Sequence, residues 1–330
     1  MDRVTLADVA KIAQVSTATV SRVIADSPLI SIDTKEKVQK IIDEMNYIPN
    51  STAQSLTKNS TKIIGVVLNS HDIDPLSNNF FSEVLSCISD CLIQNKYYTL
   101  YIHANNEKEE KEYIKFLVGS RRVDGLIFLR AYNDESILEY LYNLNVPFSI
   151  IGTPNNTDKY IWVDNDNVKA TYTMTKNLID QGRENICFLG GPKDLKVTNY
   201  RYIGYKKALN EKSIKKEYVL ESLFDVDHAY ELIKKFLKEN IQIEAIVTTD
   251  DILAIASLKA CKDLKKEDIK VTGFNNTYIR RFSNYKFSTV EINVDKLGKT
   301  ACELLISKIE NQKMNNNHAV IEAYIIEEGK

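Results

Sequence analysis

Small hydroxyl and methyl side chains alternate with valine and isoleucine in the stretch VSTATVSRVI, residues 15–24, whose only charge is Arg22. If the stretch is helical, Val20, Val23 and Ile24 turn inward, and the small side chains face outward together with Arg22. Side chains of this size can enter the major groove of DNA and touch base edges, and an arginine can donate two hydrogen bonds to a guanine. The chemistry open to this face is therefore the reading of base pairs.

Two further helices are predicted to position that face. LADVAKIAQ places Leu6, Val9, Ala10 and Ala13 on one side of a short helix, and Ser16 is a suitable N-cap for the next helix, Thr17 to Ile24. A third helix, capped by Ser31 or Asp33, should run to about Met45. Two short helices joined by a tight turn and braced by a third form a helix-turn-helix. A three-helix packing or dimerisation module is the alternative.

Charge does not decide between these two interpretations. The net charge is −2, and the first 58 residues hold seven basic and seven acidic side chains. Helix N-termini and hydroxyl groups would therefore contact phosphates as much as lysine side chains would.

The N-terminal pattern VTLADVAKIAQVSTATVSRVI, followed by NYIPNSTAQSLTKNSTKIIGVV, resembles the lactose/galactose-repressor family of bacterial transcription regulators. The resemblance extends along almost the whole chain. It implies a helix-turn-helix at residues 1–48 and a hinge helix and linker at 49–61. It further implies a two-lobed domain at 62–330 that binds an effector and dimerises.

The resemblance also implies which residues contact operator DNA. Thr17, Ala18 and Arg22 match base-reading positions, and Leu56 matches a leucine that wedges into the minor groove and bends the DNA. Leu56 could instead be covered by the neighbouring domain. Other positions match sites that hold the DNA backbone or lie in the hinge: Thr5, Ser16, Ser21, Ser31, Thr34, Asn50, Ala53 and Gln54.

Beyond residue 62, strand-like segments alternate with amphipathic helical ones. The predicted strands are KIIGVVLN, YYTLYIHA, DGLIFLR and PFSIIG in a first set, and ICFLGG, EAIVTTD and KVTGFNN in a second. Such alternation predicts parallel sheets covered by helices, here two doubly wound α/β lobes. The family resemblance implies a periplasmic-binding-protein-like core with crossovers near residues 160, 291 and 320. Lobe 1 would then hold about 62–160 and 292–319, and lobe 2 about 161–291 and 320–330.

Ligands of doubly wound sheets bind at the carboxyl ends of the strands, so we expect a site between the lobes. The resemblance places effector-binding residues there: Asn79, Phe80, Phe81, Asp164, Arg201, Phe224, Asp250 and Asn275. Some of these have a simpler explanation. At least one of the two phenylalanines should face the core, Arg201 could be a surface arginine at a helix start, and Asp164 could merely cap the following helix.

Other classes of protein are disfavoured. We find no nucleotide-binding glycine loop, nucleophile elbow or zinc-protease motif, so no catalytic residue, cofactor or metal site is predicted. EKEEKE, residues 107–112, is interpreted as a solvated helix face, and the five cysteines as buried free thiols. No apolar run is long enough to span a bilayer, and the N-terminus has no export signal, which predicts a cytoplasmic protein.

We therefore predict a homodimeric regulator that binds a pseudo-palindromic operator and is controlled by a small sugar between its lobes. GFNN and STVEINVDKLG are similar to the maltose-repressor branch, which implies a maltose-like effector. The lack of a heptad extension after VIEAYIIEEGK favours a dimer over a tetramer. The alternative is a cytoplasmic sugar-binding module whose N-terminal helices mediate protein contacts.

Overall fold

The computed structural model describes residues 4–48, 60–68 and 78–329. The chain divides into two compact units, Met1–Thr61 and Lys62–Lys330. In the first unit the described residues form the helices α1 (Leu6–Ala13), α2 (Thr17–Ile24) and α3 (Ile32–Glu44).

Each of these helices begins at a hydroxyl side chain that accepts a backbone N–H. Thr5 and Asp8 form a reciprocal capping box, Ser16 accepts from the amide of Thr19 at 3.1 Å, and Ser31 accepts from that of Thr34 at 3.4 Å. The predicted cap at Ser16 is confirmed, and Ser31, not Asp33, caps the third helix. The inner faces meet in a small core of Val9, Ala10, Ala13, Val20, Val23, Val38, Ile42 and Tyr47.

The second unit contains a six-stranded parallel sheet in lobe 1, with the order β11-β5-β4-β3-β1-β2. Helices cover both of its faces, as β-branched and apolar strands that are buried on two sides require. The elements of this lobe are β1 (Ile63–Val67), α4 (Asn79–Gln94), β2 (Tyr98–Ile102), α5 (Glu107–Gly119), β3 (Gly125–Phe128), α6 (Ser136–Asn143), β4 (Phe148–Ile151), β5 (Ile161–Asn165), α12 (Val294–Ile309) and β11 (His318–Ile321).

Lobe 2 has a four-stranded parallel sheet in the order β7-β6-β8-β9 and an antiparallel pair, β10 with β12. Isolated bridges join Thr272 to Ser288 and Asn275 to Glu291, so this pair continues the lobe 2 sheet. Its elements are α7 (Asn167–Asp180), β6 (Ile186–Gly190), α8 (Lys196–Glu211), β7 (Tyr218–Glu221), α9 (Val226–Glu239), β8 (Ala245–Thr248), α10 (Asp251–Asp263), β9 (Lys270–Thr272), α11 (Tyr278–Phe282), β10 (Thr289–Glu291) and β12 (Tyr324–Ile326).

One expected lobe boundary is wrong by a whole strand. Residues 161–165 were assigned to lobe 2, but they pair with β4 on one side and β11 on the other, inside the lobe 1 sheet. All five residues of the strand are buried, so the chain must complete it before it can leave the lobe. The first crossover therefore follows Asn165. The last one follows Ile321, since β11 also belongs to lobe 1.

The interpretation of residues 107–112 as a solvated face is wrong at one position. Glu110 is fully buried, where it accepts a hydrogen bond from Tyr132 at 2.5 Å and pairs with Arg130 at 3.3 Å. A buried carboxylate needs such partners to offset its lost hydration. Arg130 follows strand β3, so this helix is anchored to the sheet edge that faces lobe 2.

Candidate functional site

An open cavity lies between the lobes of the second unit, at the carboxyl ends of their strands, with a volume of about 850 Å³ that includes solvent at its mouth. Leu129 and Gly152 follow β3 and β4 in lobe 1, and Thr249 and Asn275 follow β8 and β9 in lobe 2. Seven of the eight predicted effector residues line it: Phe80, Phe81, Asp164, Arg201, Phe224, Asp250 and Asn275.

Arg201 is the centre of the polar network in this cavity. It lies in the first half of α8, is only 8% exposed, and stacks on the ring of Phe274 at 3.6 Å. Its guanidinium donates to Asn167 Oδ1 at 2.9 Å, to the carbonyl of Thr249 at 2.5 Å and to Asn275 Oδ1 at 3.4 Å. Burial lowers the pKa of Arg201 to about 10, which still leaves it charged at neutral pH. The alternative of a surface arginine is therefore wrong.

Asp250 lies beside this network as the N-cap of α10. Its Oδ1 accepts from the amide of Ile252 at 2.8 Å, and its Oδ2 accepts from the amide group of Asn275 at 2.8 Å. Burial and the neighbouring Asp251 carboxylate raise the pKa of Asp250 to about 7. Near neutral pH, Asp250 can thus present either a carboxylate or a carboxyl group to a ligand.

Asp164 closes the lobe 1 side of the cavity. Its Oδ2 accepts from the amide and hydroxyl of Thr153 at 2.9 and 2.8 Å, and its Oδ1 accepts from the side chain of Asn167 at 2.9 Å. Burial raises its pKa, although these hydrogen bonds oppose the shift. The cap of the next helix is Asp166, so the alternative role for Asp164 as that cap is wrong.

Aromatic side chains form the apolar walls. Phe81 is 6% exposed and belongs to the lobe 1 core, whereas Phe80 is only partly buried and meets Phe81 edge-on at 5.3 Å. Across the cavity, the ring of Phe224 lies so near Gly191 that a Cβ there would be 2.2 Å from it. A glycine is thus required for Phe224 to reach the cavity.

The eighth predicted residue, Asn79, does not line the cavity. Its neighbour Asn78 does, because Asn78 is the N-cap of α4 and accepts from the amide of Phe80 at 3.0 Å. Asn79 is the first residue of that helix and is not among the residues that line the cavity. A cap preference at Asn-Asn-Phe does not distinguish the two asparagines, so the sequence could not resolve this choice.

Hydrogen bonds and ion pairs hold the lobes together at two sides of the cleft. Lys196 of lobe 2 donates to the Thr153 carbonyl at 3.3 Å and to Asn155 Oδ1 at 2.7 Å, and its ammonium lies 3.8 Å from Glu135. On another side, Glu83 of lobe 1 accepts from the amide of Tyr278 at 2.7 Å and pairs with Arg281 at 3.2 Å. These contacts join the two lobes, and none was predicted from the sequence, since each connects segments distant along the chain.

In the first unit, the outward face of α2 matches the sequence prediction. Thr17, Ala18, Ser21 and Arg22 are exposed, while Val20 and Val23 are buried. The hydroxyls of Ser16 and Ser31 lie within hydrogen-bond distance of the Thr19 and Thr34 hydroxyls, at 2.9 and 2.8 Å. These caps hold the start of each helix, where free N–H groups can meet a phosphate. The predicted hinge contacts Asn50, Ala53, Gln54 and Leu56 lie outside the described residues.

Comparison with known proteins identifies both units. Residues 5–50 match the bacterial regulatory proteins of the lacI family, and residues 175–328 match the periplasmic binding protein-like domain. The HTH-type transcriptional regulator MalR of Streptococcus pneumoniae is 35% identical over 322 residues, which cover 94% of each chain. The chain belongs to the lacI family.

Solved structures show the same fold. The lac repressor dimer bound to operator and the anti-inducer ONPF has a TM-score of 0.87 at 23% identity, over 99% of this chain and 98% of that one. A complex of the transcriptional regulator CelR with cellobiose has a TM-score of 0.75 at 22% identity, over 99% of both chains. The predicted combination of a helix-turn-helix with a two-lobed α/β core is confirmed.

This lacI-family chain is a DNA-binding transcriptional regulator, as predicted, and the alternative of a module that binds only sugar and protein is not favoured. Among its described residues, no helix has the length and apolar character needed to cross a membrane. The resolved cysteines are free thiols, and Cys87 is the one that is only partly buried.

The raised pKa of Asp250 predicts how stability changes with pH. Because the pKa is about 7 in the folded chain and near 3.8 when exposed, the folded state keeps a proton that the unfolded state has lost. The free energy of unfolding should therefore fall as pH rises from about 4 to about 7. Asp250→Asn keeps the helix cap and should make this fall shallower, measured by urea unfolding at each pH.

Asp268→Asn is the matched control, since it removes an exposed carboxylate of the same lobe. Its pH dependence should follow that of the unchanged protein. Asp251, whose pKa burial raises to about 6, still titrates in both variants and accounts for the part of the slope that remains. Equal slopes in the Asp250 and Asp268 variants would contradict the assignment.

Proposed function

We propose that this regulator represses carbohydrate-utilisation genes, and that a small neutral sugar of the maltose type binds between its lobes and changes its affinity for the operator. The observation that carries the proposal is the cavity in which Arg201, Asp250 and Asn275 lie opposite the side chains of Phe80 and Phe81. Sugars present hydroxyls around an apolar ring face, and this lining matches both features.

The charges in the cavity favour a neutral ligand over an anionic one. Arg201 already faces Asp164 and Asp250, and Arg130 is paired with Glu107 at 3.1 Å and with Glu110. Lys196 lies near Glu135. A phosphate group would have to displace one of these carboxylates, whereas a hydroxyl can donate to one and accept from an arginine.

Two of the similar proteins support a disaccharide. The CelR complex holds cellobiose, a disaccharide. The relative named above is a MalR regulator, in keeping with the maltose-repressor pattern in GFNN and STVEINVDKLG. Cellobiose and maltose differ only in the glycosidic linkage, so both belong in the test.

We further propose that the cleft binds its sugar without turnover. Both carboxylates that would have to do acid–base work, Asp164 and Asp250, already accept two or more hydrogen bonds from neighbouring groups. The relatives are transcriptional regulators, in agreement with a binding role.

In the proposed mechanism, two subunits bind a pseudo-palindromic operator through their α2 helices, with Arg22 reading a guanine. Thr17 and Ala18 contact neighbouring base edges, and residues 49–61 form paired hinge helices only on DNA. A sugar that changes how the lobes close changes the spacing of the hinges. Effector and operator are then linked by one two-state equilibrium, as allostery requires.

The test is operator binding by fluorescence anisotropy on a palindrome with a central C-G step, at two salt concentrations, with and without maltose or cellobiose. We expect binding that weakens steeply with salt, because phosphate contacts release counterions. We expect sugar to change the operator Kd by about fivefold or more. If neither sugar changes the operator Kd, the protein is still a DNA-binding regulator, but this class of effector is excluded.

Leu56 provides a separate prediction for the hinge. Leu56→Ala should weaken operator binding about tenfold and reduce DNA bending, because alanine cannot hold open an unstacked base step. Sugar binding, measured by calorimetry, should not change. Thr57→Ala, which alters the next residue without removing an apolar wedge, is the control. An unchanged operator affinity and bend angle in Leu56→Ala would show that the wedge is absent.

A further inference from the structure

The side chain of Asn165 connects all three crossovers between the lobes. Asn165 is the last residue of β5, at the point where the chain first leaves lobe 1. Its amide group donates to the carbonyl of Ile292 at 2.9 Å and to the carbonyl of Ile321 at 3.0 Å. Ile292 lies in the second crossover, between β10 and α12, and Ile321 ends β11 just before the third. One buried amide thus fastens three separate chain segments at the hinge.

The same residue is part of the cavity. Asn165 is 7% exposed and lines the cavity together with Asp164 and Ile292. The two N–H groups of its side-chain amide are used by the crossovers, and no hydrogen bond from the described residues reaches the side-chain oxygen, Oδ1. An amide oxygen has two lone pairs and accepts readily from a hydroxyl. That oxygen is the polar group of Asn165 left for a ligand.

A second path leads from Asn165 to Arg201. The backbone carbonyl of Asn165 accepts from the side chain of Asn167 at 3.2 Å, and the oxygen of that side chain accepts from Arg201 Nε at 2.9 Å. The hinge and the central arginine of the cavity are therefore two hydrogen bonds apart. Any shift of Arg201 toward a ligand acts on the crossover through Asn167.

We propose that Asn165 accepts a hydrogen bond from the effector and at the same time holds the three crossovers together, so that it transmits occupancy of the cavity to the hinge. When a ligand hydroxyl donates to the side-chain oxygen of Asn165, the planar amide rotates. This rotation moves both of its N–H groups relative to the carbonyls of Ile292 and Ile321. The lobes can change their closure only by bending at these segments. The ligand half of the proposal rests on the proposed function, and the hinge half does not.

The full-length chain offers a matched control at Asn317. Its side-chain amide also donates to backbone carbonyls, those of Asp158 and Tyr160 at 3.0 Å, but these lie within lobe 1 and Asn317 does not line the cavity. Asn165→Ala and Asn317→Ala thus remove the same kind of interaction. Only the former removes it from the crossovers.

The first measurement is hydrogen–deuterium exchange without ligand, followed in peptides that span residues 289–295 and 320–326. Asn165→Ala should speed exchange there about tenfold, while Asn317→Ala should leave both peptides at the rate of the unchanged protein. This result does not depend on which sugar binds. If the two variants exchange alike in these peptides, Asn165 does not hold the crossovers and the proposal is wrong.

The second measurement is the ratio of operator Kd values with and without saturating maltose, again by anisotropy. Asn165→Ala should reduce this ratio to near one and weaken maltose binding about threefold to tenfold. Asn165→Asp keeps an acceptor but cannot donate to the two carbonyls. Its maltose Kd should therefore lie within about threefold of that of the unchanged protein, while its ratio of operator Kd values should still fall to near one. Asn317→Ala should leave both the ratio of operator Kd values and the maltose Kd unchanged.

The outcomes separate the two proposals. If the unchanged protein binds neither maltose nor cellobiose, the proposed effector class fails, and the exchange measurement alone decides the role of Asn165 at the hinge. If the unchanged protein responds to maltose and Asn165→Ala responds equally with the same maltose Kd, the transmission role is overturned.

Discussion

Arg201→Leu should abolish the response to sugar and lower stability, while operator binding persists. The substitution removes the donor to Asn167, the Thr249 carbonyl and Asn275, and it leaves the Asp164 and Asp250 carboxylates buried without their cation. Breaking a buried charge network in this way costs about 3–5 kcal/mol, or roughly 10 °C in the unfolding temperature. Maltose affinity should fall at least about 100-fold.

Arg280→Leu is the control for this prediction. Arg280 also lies in lobe 2 and donates to the Phe287 carbonyl at 3.1 Å and to Asn276 Oδ1 at 3.0 Å, but it does not line the cavity. Its loss should lower stability less and leave the response to maltose intact. Calorimetry gives the maltose Kd and anisotropy the operator Kd. If maltose changes the operator Kd of Arg201→Leu as much as that of the unchanged protein, Arg201 is excluded from the effector site.

The helix-turn-helix could be predicted well because local interactions determine it. Caps at Thr5, Ser16 and Ser31 lie three residues or fewer from the amides they satisfy, and the apolar spacing of Val9, Ala13, Val20 and Val38 is local too. The same holds for the seven predicted strands, each of which is found. Continuous apolar runs such as those of β1, β3 and β4 indicate burial on both faces of a sheet, whereas the edge strand β2 is largely exposed.

Several strands were missed for physical reasons. The strand Tyr218–Glu221 lies at a sheet edge, and its apolar run, Tyr218 to Leu220, is short and includes the exposed Val219. The pair Thr289–Glu291 and Tyr324–Ile326 is only three residues long on each side, and its partners lie far apart along the chain. The strand Ile161–Asn165 ends in two polar residues, Asp164 and Asn165, and begins where the resemblance implied a crossover, near residue 160.

The cavity was predicted in part. Asp250 and Asn275 follow strands, where the fold places ligand contacts, and the family pattern identifies both of them and Arg201. Arg130, Lys196 and Asn165 were not predicted, because their partners are distant in sequence: Glu110, Glu135 and the carbonyls at 292 and 321. The burial of Glu110 within the polar run EKEEKE could not be predicted, because its partner Arg130 reaches it only in the folded chain.

Gly204→Ala should destabilise the second unit and weaken sugar binding with it. Gly204 lies in α8 where that helix meets α7, and a Cβ there would lie 2.3 Å from the carbonyl oxygen of Val168 and 2.8 Å from the amide nitrogen of Tyr172. Both atoms are backbone, so the two helices must move apart as a whole. Overpacking against atoms that cannot rotate away should cost about 3 kcal/mol.

That movement would reach the cavity. Val168 adjoins Asn167, and Gly204 lies one turn after Arg201, so the 2.9 Å hydrogen bond between Asn167 and Arg201 spans the same helix contact. If this hydrogen bond lengthens by a few tenths of an ångström, it weakens, and the Arg201 guanidinium is held less firmly in place. Maltose affinity should therefore fall about tenfold in the protein that remains folded, measured by calorimetry well below the lowered unfolding temperature.

Gly119→Ala is the matched control, because Gly119 ends helix α5 and a Cβ there meets no atom within 4 Å. That substitution should be neutral or stabilise by up to about 1 kcal/mol, since alanine loses less backbone freedom on folding. Urea unfolding of both variants gives the comparison. If Gly204→Ala unfolds at the same urea concentration as Gly119→Ala, the α7 and α8 backbones are not in contact. The geometry that positions Arg201 would then have to come from its hydrogen bonds alone.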